Sequence, residues 1–207
     1  MNTPNQNSSL SALWGFWPLL AVYVGIWLVG NALLAVALYH GGLLLGMWRR
    51  NFQPRSLLQG WSGREGLGMS LLCMGTWPLV ILLWPWMQLG GLDLSAELEA
   101  WGFSNFWLTA GFIVYSLTLH PMLEEGFWRG VMPKTWLTDL QFAAFHVLVL
   151  IKWVHWPWAL LAGGVLTAAS WIWRWYAERK QGLSIPVLSH AIADLALILA
   201  LPWMMPA

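Results

Sequence analysis

Charge is what this sequence has least of. Asp, Glu, Lys and Arg together make up 9% of the 207 residues, against 58% hydrophobic, whereas a soluble domain carries about 25% charged residues. So few charges cannot cover a globular surface in water, and the mean hydropathy is +0.59. A soluble domain, or a soluble module appended to membrane spans, is thereby excluded. In lipid every backbone N–H and C=O needs an internal partner, which a helix supplies within one segment. The expected fold is therefore all-α, a polytopic transmembrane helical bundle. Cysteine is nearly absent: Cys73 stands alone, which excludes a disulfide framework and a cysteine metal site, and it reads as a plain core residue. The net charge of +1 leaves no basic footprint for nucleic acid. The HExxH zinc motif is missing, as are a GxGD aspartyl motif and a GxSx-type nucleophile. Ser189 adjoins His190, but i,i+1 neighbours on a helix do not face each other. No internal repeat or low-complexity tract is present.

What is there is a series of apolar segments. Met1 to Ser9 is polar without basic residues, unlike the start of a secretory signal, so the first apolar segment is expected to stay in the chain. Leu10 to Trp48 lacks charge at neutral pH and is longer than one span needs. The preferred reading is one helix from about Leu13 to Tyr39 with an interfacial or re-entrant tail. The alternative is two short helices turning at Gly30-Asn31. Further spans are expected over Leu67–Met87, Phe106–Leu123, Leu140–Ile151, Trp156–Trp173 and Leu183–Met204, about six in all, or seven if the first segment turns. Residues 1–105 would supply N-terminal spans and a basic loop, and 106–207 a catalytic core, within one membrane-embedded domain. With six spans, nine of the ten Lys and Arg fall on one side and only Lys152 on the other. The positive-inside rule makes the basic side cytoplasmic, with both termini opposite. The chain holds 19 Trp. Trp favours the interface, but many here lie mid-segment and are expected between helices.

Ionisable residues inside such segments are costly and default to functional-site candidates. The chain centres on Pro121 to Arg129, PMLEEGFWR. Glu125 and Arg129 are i,i+4 and can pair on one helix face. Glu124 then points about 100° away, toward any cavity. Two later helices carry His146, and His190 with Asp194. Counted in turns from the drawn helix ends, all lie within roughly 10 Å of the basic side. One layer of five polar groups is hard to explain as helix-to-helix glue. His40 and His155, near span ends, read as interfacial. His120 is i,i+4 to Glu124, but Pro121 disturbs that geometry.

These residues match a family pattern. Glu124-Glu125-Gly-Phe-Trp-Arg129 stands as EExxxR, with Pro121 before and Gly130 after. Phe142-Ala-Ala-Phe-His146 stands as FxxxH, and His190-Ala-Ile-Ala-Asp194 as HxxxD. Gly163-Gly164 lies between the second and third motifs. Over about Phe106 to Leu199 the chain resembles the CPBP intramembrane proteases, the CAAX protease and bacteriocin-processing or Abi family, of type II CAAX prenyl endopeptidase character. The resemblance implies peptide hydrolysis in or at the membrane. Glu124 and His146 would activate a water, while His190 and the third-motif partner would stabilise the oxyanion or bind a metal. Glu125, Arg129 and Phe142 would support the site.

Hydrolysis by water needs a base, a stabiliser of the developing charge and a proton donor for the leaving amine. Glu124 suits the first role and His146 the proton shuttle. The third motif of the family is HxxxN or HxxxD, and Asp194 matters because, where the family has Asn, an amide can donate to an oxyanion, whereas an Asp can do so only when protonated. The preferred reading is that Asp194 orients His190, as carboxylates orient imidazoles in hydrolase triads. The alternative is a divalent metal, zinc first, on His146, His190 and Asp194; no cofactor is favoured. The expected substrate is a membrane protein or peptide, a leader or C-terminal sorting segment, met in a bacterial inner membrane on its cytoplasmic side. A non-catalytic scaffold or chaperone of the same fold and a small proton-coupled transporter are the competing functions.

Overall fold

A computed structural model describes residues 12–205; the polar N-terminal stretch and its reading lie outside them. The chain is a membrane-embedded bundle of helices. Among the described residues four helical segments are long and apolar enough to cross a membrane: Ala32–Arg49, Gly63–Met87, Phe106–Val131 and Ser184–Met204. Ala12–Leu28 and Trp136–Leu150 are shorter apolar helices.

The first hydrophobic stretch turns, against the preferred single helix. It forms α1 (Trp17–Val22), continued by a π-helical turn over Tyr23–Leu28, and then α2 (Ala32–Arg49). Gly30 takes φ +72°, which glycine adopts without steric penalty. The Asn31 side chain then accepts from Leu34 N at 2.9 Å and caps α2, satisfying one of the orphan donors of a helix start. The two helices pack closely. A Cβ on Gly42 would lie 1.9 Å from Trp17 Nε1, and one on Gly25 would lie 2.4 Å from the Ala35 backbone. Small residues of this kind let membrane helices approach. The turn matters for function because it places Tyr39 and His40 mid-helix inside the bundle.

Proline sets the other breaks. The next span divides at Gly75 into α3 (Gly63–Met74) and α4 (Thr76–Met87), three residues before Pro78. The third divides at Thr118 into α5 (Phe106–Leu117) and α6 (Leu119–Glu125), since Pro121 has no N–H for the Leu117 carbonyl and its ring collides with that carbonyl. Thr118 Oγ1 donates to Val114 O at 2.7 Å across the break. A π-helical turn over Gly126–Val131 follows. The last elements are α7 (Trp136–Leu150), α8 (Trp156–Lys180) and α9 (Ser184–Met204). A short helix over Leu94–Ala100 lies between α4 and α5.

The helix α7 pairs along its length with α8, while α9 packs on α3 and α4. One ion pair locks the α7–α8 hairpin. Asp139, 3% exposed, accepts from Ser170 Oγ at 2.8 Å and from Arg174 Nη2 at 2.5 Å. Arg174, expected in a basic connecting loop, is thus engaged by the bundle. Asp139→Asn is expected to lower the unfolding free energy by about 1–3 kcal/mol, read as an earlier thermal midpoint in detergent micelles. An unchanged midpoint would show that the pair adds nothing.

The bundle has two chemically different ends. At one, the 49–65 loop meets the α8–α9 turn: Leu183 N donates to Ser56 O at 2.8 Å, Lys180 pairs with Glu65, and Lys134 lies 3.8 Å from Glu178. At the other, Leu89 N donates to Trp153 O at 2.9 Å, beside Lys152. The basic loops therefore gather at a single end. Arg129 is the exception, being 4% exposed and inside the bundle. Tryptophan also departs from expectation: eleven of the 19 are exposed and four are buried. Outward Trp suits the membrane–water interface.

Candidate active site

The site is built outward from α6. Glu124 and Glu125 are both 0% exposed, and adjacency on a helix sends them in different directions, as expected. Glu124 Oε1 accepts from the Tyr39 hydroxyl at 2.6 Å, and Tyr39 Oη accepts from Trp128 Nε1 at 3.2 Å. Glu125 turns the other way. Its Oε2 is 3.2 Å from Arg129 Nε one turn on, and its Oε1 is 2.8 Å from His190 Nδ1 on α9.

The Arg129 guanidinium has no further hydrogen-bond partner among the described residues. It is held by rings instead, 4.3 Å from the Phe142 centroid and 5.2 Å from that of Trp173. A cation over an aromatic face is attracted by the ring quadrupole, more strongly when desolvated. Trp173 also stacks on His190, with centroids 5.0 Å apart and planes at 13°. Phe142, Arg129, Glu125, His190 and Trp173 form one contiguous cluster drawn from five elements.

This arrangement corrects the expectation for Asp194. Its carboxylate stands 3.8 Å from His190 Nε2, beyond hydrogen-bond reach, and Glu125 is the carboxylate that orients His190. Asp194 Oδ2 is also 3.8 Å from His120 Nε2, and His120 Nε2 is 3.5 Å from Glu124 Oε1. Pro121 does not remove His120 from the site, because the helix restarts at Leu119. His40, expected at the interface, is 5% exposed; its Nε2 lies 3.1 Å from His120 Nδ1. His155 is exposed at the start of α8.

A cavity of about 360 Å³ opens over these groups, lined at its polar end by Tyr39, His40, His120, Glu124, His146 and Asp194. His146 is half-buried, with Nδ1 2.8 Å from the Phe142 carbonyl. A carbonyl only accepts, so in the neutral ring Nδ1 carries the hydrogen and Nε2 keeps its lone pair. The rest of the cavity is apolar and reaches Leu98, Trp101, Phe103 and Trp153 at the end away from the basic loops. It is deeper than expected. Because α7 and α9 begin at Trp136 and Ser184, His146 and Asp194 each lie ten residues in, about 15 Å along the axis.

The structure thus brings Glu124, His190 and Asp194 around one space, with His146 on the same cavity wall and Glu125, Arg129 and Phe142 behind His190. The set His146, His190 and Asp194 does not converge as metal ligands. Among the described residues the convergent groups are His40, His120 and Glu124, and His120, His190 and Asp194, each with ligand atoms within 4.8 Å. Sequence reasoning missed Tyr39, whose only signal was a Tyr-His pair in the middle of an uncharged run.

Residues 105–196 match the family model described as Type II CAAX prenyl endopeptidase Rce1-like. The chain matches no curated protein and no solved structure. His120, Glu124, His146, His190 and Asp194 lie within the matched residues, while Tyr39 and His40 come from outside them.

Proposed function

With residues 105–196 in the family of type II CAAX prenyl endopeptidases, we propose that the chain hydrolyses a peptide bond of a membrane-associated protein or peptide, using a water activated by Glu124 and His146. One observation carries this reading. Glu124 is fully buried, yet its Oε2 has no hydrogen-bond partner among the described residues, and it lines a cavity shared with the His146 ring. A carboxylate oxygen with no protein partner, on the same cavity wall as a neutral imidazole, can bind and deprotonate a water.

Glu124 takes a proton from water as the water oxygen bonds to the scissile carbonyl carbon. The C–N bond then breaks, and the amine leaves with that proton, passed on through His146 Nε2. Charge developing on the carbonyl oxygen would be met by His190, held through Nδ1 by Glu125 and stacked on Trp173, in the imidazolium form whose Nε2 carries a proton to donate. Tyr39 donates to the Oε1 of Glu124 and so keeps Oε2 as the working oxygen. The apolar remainder of the cavity suits an apolar leader or C-terminal sorting segment.

By the positive-inside rule the basic end faces the cytoplasm, and the polar cluster lies between that end and the middle of a bacterial inner membrane. The test compares membranes containing the wild-type chain with membranes containing Glu124→Gln, by mass spectrometry of new N- and C-termini. The expected outcome is a set of membrane-derived ends present only with the wild type and absent again with His146→Ala. Identical termini in all three samples would rule the reading out.

A further inference from the structure

A second concavity lies outside the active-site cavity, at the basic end of the bundle. Its volume is about 530 Å³, and Ser62, Arg64, Glu65, Gly68, Tyr176 and Lys180 line it. One wall is the start of α3 and the other the end of α8, and both helices pack on α9. Arg64 stands at the start of the span Gly63–Met87, and Lys180 is the last residue of α8. The groove therefore opens at the level of the cytoplasmic headgroups. Trp61, packed over Gly66 of α3, and Trp175 of α8 are 55% and 41% exposed. Exposed Trp at this level belongs to the membrane–water interface.

The charges in this groove do not cancel. Glu65 pairs with Lys180, while Arg64 is exposed and pairs with no carboxylate among the described residues. Two cations against one carboxylate leave the lining with a net positive charge. Arg179 adds another at the rim, its guanidinium 5.0 Å from the Trp175 ring. Below the charges the wall turns small and then apolar. Gly68 lies one turn below Arg64, and a Cβ there would meet no atom within 4 Å. Leu71 continues the same face of α3 and is exposed. Met69 is buried and forms the floor. A cationic mouth over an apolar channel, running down α3 into the membrane, has the polarity of an amphiphile.

We propose that the groove between α3 and α8 binds an anionic phospholipid of the cytoplasmic leaflet. Its phosphodiester lies against Arg64 and Lys180, with the Tyr176 hydroxyl as a further donor, and an acyl chain runs over Gly68 toward Leu71. Arg suits this role because its planar fork can donate two hydrogen bonds to one phosphate. The phosphodiester brings a negative charge to a lining that carries a net positive one. A zwitterionic lipid would bring its own ammonium to the same cations, so the groove selects the anionic headgroup. Free phosphate has no chain to fill the channel over Gly68 and is held less well. None of these residues lines the active-site cavity, and lipid binding here is independent of hydrolysis.

The experiment is native mass spectrometry of the full chain released from micelles holding equal amounts of phosphatidylglycerol and phosphatidylcholine, over a series of lipid concentrations. The expected first adduct of the wild type is phosphatidylglycerol. Arg64→Gln and Lys180→Gln should each weaken it about fivefold, the equivalent of about 1 kcal/mol per basic residue at a membrane surface. Gly68→Phe changes no charge and enters open space, so its ring should fill the acyl channel and abolish the preference, with helicity checked by circular dichroism. Arg55→Gln removes an exposed cation that does not line the groove and should leave the first adduct unchanged. Equal retention of the two lipids by the wild type would overturn the proposal, and that arm needs no variant to fold. Equal weakening by Arg55→Gln and Arg64→Gln would replace the site with diffuse surface charge, and an adduct untouched by Gly68→Phe would remove the channel. Displacement by soluble glycerol 3-phosphate as effective as displacement by phosphatidylglycerol would make it a site for free phosphate instead of lipid.

Discussion

Glu124→Gln should lower kcat/KM for any authentic substrate by about 10³-fold, within the 10²–10⁴-fold range of a positioned acid–base group, while leaving the fold in place. The amide is nearly isosteric, and its carbonyl still accepts the Tyr39 hydroxyl that lies 2.6 Å from Oε1. What it loses is the ability of the second oxygen to take a proton. Glu124→Asp keeps the charge but draws it back, and a displacement of about 1 Å at a reacting group can remove 10²-fold. Tyr39→Phe deletes one hydrogen bond to a charged group and should reduce the rate by about tenfold. Rates measured in nanodiscs, with thermal midpoints as the folding control, give the ranking Glu124→Gln, Glu124→Asp, Tyr39→Phe. Wild-type rates in a folded Glu124→Gln protein would end the proposal that this carboxylate is the base.

Arg129→Ala carries the largest effect on stability, a loss of about 3–5 kcal/mol. Glu125 is 0% exposed and Arg129 4%, so removing the cation leaves a buried carboxylate whose remaining partner is His190 at 2.8 Å. The rings at 4.3 and 5.2 Å from the guanidinium would also lose their filling. Lysine should not rescue the variant, because a point charge does not lie flat between two aromatic faces. Removing both charges, Glu125→Gln with Arg129→Met, should recover part of the loss, since the isolated buried charge is what destabilises. Unfolding in mixed micelles measures each corner of this cycle. A single Arg129→Ala change within about 0.5 kcal/mol of wild type, the range of an ordinary surface substitution, would contradict a buried, paired Arg129.

The two predictions divide the paired carboxylates, and the division was only half legible beforehand. That Glu125 pairs with Arg129 follows from i,i+4 spacing on one helix. That Glu125 also grips His190, 65 residues away, does not. Asp194 seemed better placed for that task at i,i+4 from His190, yet it stands 3.8 Å off. In the packed bundle it is Glu125, on a different helix, that reaches Nδ1. His40 shows the same limit. As the neighbour of Gly41-Gly42 it looked like a span end, and the turn at Gly30 made it the middle of α2.

Local rules were therefore enough for whatever depends on one segment. Scarce charge placed the chain in lipid, and proline and glycine marked where helices break. The spacing of EExxxR, FxxxH and HxxxD marked which helices bring polar groups to the cluster. What no single segment contains is the direction each helix faces. In water an apolar stripe points to the core, but here lipid and core are both apolar, so the periodicity of a helix does not say which side is inward. The contacts of Tyr39 with Glu124, of His40 with His120 and of Glu125 with His190 depend on that direction, and only the packed bundle decided them.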